Sequence, residues 1–157
     1  MFKEGNIEGI IIRHLNKYTD DRGWLIEIFR HDELVPEYYP VMSYISMTNP
    51  GVVRGPHEHV DQADLFGFIG PSTFKLFLWD TRKSSPTFMK KQVILVGENN
   101  PASLLVPPGI VHAYKNVGNQ PGMVVNYPNR LFAGKGKLEK VDEIRHENDP
   151  NTIFLID

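Results

Sequence analysis

Two short segments hold the residues whose types and spacing can do chemistry. Val53-Arg-Gly-Pro-His-Glu-His59 places His57 and His59 at positions i and i+2, with Asp64 five residues on. In a strand, such a pair faces one side, so both imidazoles can point into one cavity. Val106-Pro-Pro-Gly-Ile-Val-His-Ala-Tyr-Lys-Asn116 carries His112 behind a Pro-x-Gly turn, inside another β-like run. Imidazole and carboxylate together ligate divalent transition metals. Imidazole is also the common general base near neutral pH. His14, His31 and His146 lack such a pattern and read as ordinary residues.

The elements that must position these groups read as strands. Candidates are 7–15, 24–29, 41–48, 52–59, 65–69, 74–79, 91–96, 103–106, 112–116 and 123–127, with a helical turn at 31–34 ended by Pro36. They are rich in β-branched and aromatic residues, and Gly, Pro, Asn and Asp punctuate them about every ten residues. Phe74-Lys-Leu-Phe-Leu-Trp79 is the strongest. No segment carries a helical apolar stripe. The expectation is an all-β domain over 1–157, an antiparallel sandwich or barrel with little helix. From Ala133 the composition turns to charged residues, and this reads as a C-terminal extension lying over the barrel or a partner subunit.

Of the 157 residues 41% are hydrophobic and 23% charged, with a net charge of −2. No basic run suggests nucleic acid. Cysteine is absent, which excludes disulfide and thiolate chemistry and fits the cytoplasm. No apolar run approaches the roughly 18 residues of a membrane span, and the N-terminus lacks the apolar core of a secretory signal.

The histidine spacing resembles the two cupin motifs. His57-Glu-His59, four residues, Asp64, then Gly70 follows the first, and Pro107, Gly109, His112 and Asn116 match the second. The expected architecture is therefore a cupin-type double-stranded β-helix, or jelly-roll barrel. Four further stretches, in order, resemble the dTDP-4-dehydrorhamnose 3,5-epimerase family of nucleotide-sugar isomerases. These are Asp20-Asp-Arg-Gly-Trp-Leu-Ile-Glu-Ile-Phe29, Val52-Val-Arg-Gly-Pro-His57, Asp80-Thr-Arg-Lys-Ser-Ser-Pro-Thr-Phe88 and Val106-Pro-Pro-Gly-Ile-Val-His112.

The resemblance implies an isomerase of a nucleotide-linked 4-keto-6-deoxy sugar in cell-surface polysaccharide biosynthesis, working without a cofactor. It implies His57 as general base, and Arg22, Glu27, Arg54 and His112 as substrate-binding residues. It also implies a homodimer in which the Asp20–Phe29 segment crosses to the neighbour, so that Arg22 serves the partner's site. Three departures stand out. Asn126 falls where the family has its Tyr acid, which leaves Tyr127, one residue on, as the candidate acid if the register slips. The family's Lys and Gln become Asp64 and His59. The Asp that partners the catalytic His comes from a later segment in the family, and no counterpart is expected here.

The second departure completes a set of metal ligands, His57, His59, Asp64 and His112. A metal-dependent cupin enzyme is therefore an alternative, and a sugar-nucleotide-binding cupin without catalysis is another. The metal would replace the positive charge of the missing Lys.

Overall fold

A computed structural model describes residues 1–157. The strands are β1 (Lys3–Glu4), β2 (Ile11–His14), β3 (Lys17–Asp20), β4 (Gly23–Ile26), β5 (Tyr44–Thr48), β6 (Val53–Glu58), β7 (Asp64–Phe68), β8 (Thr73–Asp80), β9 (Lys90–Gly97), β10 (Ala102–Val106), β11 (Ile110–Asn116), β12 (Gly122–Asn126) and β13 (Ile144–Arg145). Helix is confined to four 3-10 turns, one of them at His31–Glu33 as expected. One sheet has the order β1-β9-β8-β11-β6-β13 and the other β2-β10-β7-β12-β5, while β3 and β4 form a separate hairpin.

Alternation along the strands builds the core. Phe74, Leu76 and Leu78 of β8 join Phe66 and Phe68 of β7, Leu104 and Val106 of β10, and Val124 of β12 in one apolar cluster between the sheets. The other face of β8 is apolar as well. Phe77 and Trp79 pack with Val111, Ala113 and Phe154. The run from Phe74 to Trp79 is the strongest in the sequence because both its faces are covered. The cover on the outer face is the C-terminal segment. Phe154 meets Trp79 edge-on at 5.5 Å, and Lys91 Nζ donates to the Leu155 carbonyl. A third cluster (Ala63, Leu65 and Leu105) lies on the outer face of the five-stranded sheet under Phe29, Leu34, Tyr38 and Tyr127.

Several boundaries differ from the sequence expectation. The 7–15 run is a strand only over Ile11–His14, and 24–29 forms Gly23–Ile26 paired with an unforeseen β3. The strand expected from Val41 starts at Tyr44. β1, β3 and β13 are two to four residues long and mostly polar, so no periodicity marks them. The β3–β4 hairpin stands out from the barrel, with Tyr18, Trp24 and Leu25 exposed.

Candidate active site

The site lies between the sheets, where β6 and β11 face the start of β7 and the end of β12. The register sets His57 directly opposite His112. Gly55 makes this pairing possible. Its φ is +86°, and a Cβ there would come within 2.6 Å of the His112 carbonyl oxygen. Only glycine fits so close an approach. The His57 and His112 rings then sit 4.5 Å apart, and the His59 ring is 5.7 and 5.8 Å from them.

Asp64 enters from the facing sheet and is fully buried. Its Oδ2 is 3.1 Å from His59 Nε2 and 3.4 Å from His112 Nε2. Its Oδ1 accepts from Gln62 Nε2 and Asn126 Nδ2, both at 2.9 Å. Burial alone would raise the Asp64 pKa. The hydrogen bonds and charge of the two imidazoles outweigh it and hold the carboxyl well below the usual range. Burial likewise opposes protonation of His59, but Asp64 and the Asp142 carbonyl reverse the balance, and the His59 pKa is raised. His57 has no such support. Burial, then His112 and His59, push its pKa down to about 2, so the ring is neutral at neutral pH.

The C-terminal extension completes the site. The Asp142 carbonyl accepts from His59 Nδ1. The Asp142 carboxylate accepts the backbone N–H groups of Val60, Asp61 and Gln62 at 2.8–2.9 Å. Next to it, β13 pairs with β6, and His146 Nε2 lies 2.9 Å from Glu58 Oε1. Residues 130–147 then wall a cavity of about 1190 Å³, into which His57, His59 and Tyr44 open. Its lining mixes six cations (Arg54, Arg130, Lys135, Lys137, Lys140 and Arg145) with five carboxylates (Asp61, Glu139, Asp142, Glu143 and Glu147), and Arg145 is paired with Glu143 and Glu147. Arg54 is held there by Thr48 Oγ1 at 2.9 Å and the Met47 carbonyl at 2.8 Å.

His57, His59, Asp64 and His112 are thus brought together, and Arg54 shares their cavity. One expectation is corrected. Tyr127 does not reach the cavity. β12 keeps its register without a bulge, so Asn126 faces inward and Tyr127 packs edge-on against Phe29 at 5.0 Å, on the outer face of the sheet. Glu27, on the segment expected to cross to the neighbour, lies outside its own chain's cavity. It pairs with Arg13 at 3.5 Å and Arg30 at 3.7 Å. Arg22 stands on the exposed hairpin, with its side chain 86% accessible and bound only to Asp20, outside its own chain's cavity.

Sequence reasoning did not single out Tyr44, which also opens into the cavity. It lies beside Asn126 in the β5–β12 register, and its Oη accepts from Asn126 Nδ2 at 2.8 Å. The phenol therefore stands beside the position where the family's Tyr is replaced by Asn126. Although the residue is 46% exposed, desolvation of its hydroxyl and the Asp64 charge push its pKa up to about 12 and keep it protonated. Asp142 and His146 were missed as well, because their roles come from a long return of the chain that no local pattern announces.

The fold and site define a cupin-like barrel whose imidazole-lined cavity carries a rim of mixed charge. The family model of dTDP-4-dehydrorhamnose 3,5-epimerase matches residues 4–133. The chain is 36% identical over 128 residues to the probable low-salt glycan biosynthesis epimerase Agl13 of Haloferax volcanii, covering 81% of each chain. It is 33% identical over 147 residues to the spore coat polysaccharide biosynthesis protein SpsL of Bacillus subtilis, covering 94% of this chain and 93% of that one. Among solved structures, the dTDP sugar isomerase of Desulfovibrio desulfuricans G20 superposes with a TM-score of 0.79 at 21% identity, over 92% of this chain and 87% of that one. The chain belongs to the dTDP-4-dehydrorhamnose 3,5-epimerase family, and it is accordingly an isomerase of the epimerase type.

Proposed function

We propose that this chain epimerises a nucleotide-linked 4-keto-6-deoxy sugar of the dTDP-4-keto-6-deoxyglucose kind for a surface polysaccharide, with His57 as base and Tyr44 as acid. The observation that carries the reading is the His57 imidazole. It makes no hydrogen bond and opens into the same cavity as the Tyr44 phenol, which is held protonated. A C–H bond next to the 4-ketone breaks, its proton passes to His57, and the electron pair becomes an enolate. The Tyr44 O–H then delivers a proton to the opposite face of that carbon, which inverts it. Arg54 and Arg130, the lining arginines that no carboxylate pairs, suit the diphosphate, since a guanidinium donates in parallel pairs. Negative charge brought in by that diphosphate raises the basicity of the neighbouring imidazole.

The exposed hairpin supports a homodimer in which Arg22 enters the partner's cavity. Its apolar side chains have no cover in one chain, and a two-fold exchange supplies it. No helix is long and apolar enough to cross a membrane. A nucleotide-sugar substrate favours the cytoplasm.

The test separates the two proton transfers. In deuterated water, Tyr44→Phe is expected to keep washing substrate protons out while inversion slows, and His57→Asn is expected to stop both. Inversion at an undiminished rate in Tyr44→Phe would remove Tyr44 from the mechanism.

A further inference from the structure

Asn126 stands where the family has its Tyr acid, yet it does not meet the cavity. The residue is 1% accessible and forms no part of the cavity wall. Its amide reaches two groups instead. Nδ2 donates to Asp64 Oδ1 at 2.9 Å and to Tyr44 Oη at 2.8 Å. The strands dictate both contacts. Asn126 lies opposite Tyr44 across β12 and β5, and opposite Phe66 across β12 and β7. Residues opposed in this way share a face, and Asp64, two residues from Phe66, shares it too.

An amide fits its envelope either way round, and its neighbours decide which way it points. An ionised carboxylate only accepts hydrogen bonds. Asp64 Oδ1 therefore demands Nδ2 on its side, as it demands Gln62 Nε2 at 2.9 Å. Turning the amide over would give its oxygen the Tyr44 hydrogen, but would press that oxygen against the carboxylate. The chain tolerates the other cost, since Asn126 Oδ1 is buried with no hydrogen-bond partner. With Nδ2 facing it, Tyr44 Oη is an acceptor on that side. Its own hydrogen cannot point at Asn126. Tyr44 Oη makes no other hydrogen bond within the protein, and its side chain lines the cavity. The O–H is left for what occupies the cavity.

We propose that Asn126 is a positioning residue for the epimerisation: oriented by Asp64, its amide donates to Tyr44 Oη and turns the phenol's proton into the cavity. The acid that β12 lacks is in this way supplied by the strand beside it. The inference rests on the reading of Tyr44 as the acid. When Tyr44 acts, its O–H bond breaks as the new C–H bond forms. The phenolate left behind keeps the Asn126 hydrogen bond, which strengthens as the acceptor gains charge. The phenolate then takes a proton from solvent, to which His57 returns the one it removed. Among the groups that act on the Tyr44 hydroxyl, Asn126 is the one that favours the phenolate.

Two measurements test it. The first needs no turnover and no change in the core. The Raman tyrosine doublet separates a phenol that accepts a hydrogen bond from one that only donates, and the difference between wild type and Tyr44→Phe isolates Tyr44. An accepting phenol is expected in wild type, and loss of that signature in Asn126→Leu. A Tyr44 that only donates in wild type would overturn the inference. The second measurement follows dTDP-4-keto-6-deoxyglucose in deuterated water. Asn126→Leu is expected to slow inversion by about 10²-fold, the scale of a displaced reacting group, with KM and proton wash-out unchanged. Equal loss of wash-out and inversion would mark a merely structural residue and overturn the inference. Undiminished inversion in Asn126→Leu, with Tyr44→Phe impaired, would overturn it alone. Undiminished inversion in Tyr44→Phe would overturn it together with the acid assignment.

Discussion

In the proposed reaction His57 and Tyr44 divide the proton traffic, and their surroundings suit them differently. His57 is unanchored and neutral, while Tyr44 is held by Asn126 and stays protonated. His57→Asn is expected to lower kcat by about 10²–10⁴, the usual share of a general base, with an unchanged near-ultraviolet circular dichroism spectrum. Tyr127→Phe is expected to leave kcat unchanged, because that ring packs on the outer face. Arg54→Ala is expected to raise KM more than it lowers kcat, the mark of lost ground-state binding. Steady-state kinetics on the three variants checks all of this. The histidines and Asp64 were legible in the sequence because i, i+2 spacing and two turn motifs fix which way they point. Tyr44 was not legible as an acid, since its proximity to Asn126 follows from cross-strand register between segments about eighty residues apart.

At the level of elements, the stretch Asp80–Phe88 looked like a family signature and turns out to be a knot that ties off β8. The fully buried Asp80 accepts from Arg82 Nε at 2.9 Å, Ser85 Oγ at 2.6 Å and Thr87 Oγ1 at 2.6 Å. Burial alone would raise its pKa, but these bonds hold the carboxyl well below the usual range. Its folded pKa is depressed, so its contribution to stability is present above the unfolded value near 4 and is lost as pH falls below that. Asp80→Asn is expected to cost about 1.5–3 kcal/mol at neutral pH, because it removes a charged acceptor from donors on three residues, Arg82, Ser85 and Thr87. Urea denaturation at pH 7 and pH 3 checks it, and the gap between wild type and variant narrows at the lower pH. The main strands were legible because their alternation or two-sided apolarity is strong, as in Phe74–Trp79. β3 and β13 were not, because four exposed polar positions or two residues carry no period.

At the scale of the whole molecule, the extension and the hairpin do different work. The charged C-terminal residues return over their own barrel, one of the two placements expected of them, and wall the cavity, and Asp142 and His146 contact the β6 end in ways that composition does not reveal. The hairpin carries Arg22 away from its own site. If the sites are shared across a two-fold axis, mixing Arg22→Ala with His57→Asn protein rebuilds one complete site per heterodimer. About a quarter of wild-type activity is expected to return after equal mixing and exchange, from two nearly inactive preparations. Sedimentation at micromolar concentration is expected to give twice the 18.0 kDa chain mass. A monomer that turns over substrate would end the exchange. The central claim, that a carbon acid next to a ketone is deprotonated in the His57 cavity, is tested most directly by one nuclear magnetic resonance measurement. The protein is incubated with dTDP-4-keto-6-deoxyglucose in deuterated water beside a known epimerase. Wild type is expected to place deuterium at C3, C5 or both, and His57→Asn at neither. Absence of deuterium with wild type, while the known epimerase exchanges both positions, would contradict the claim.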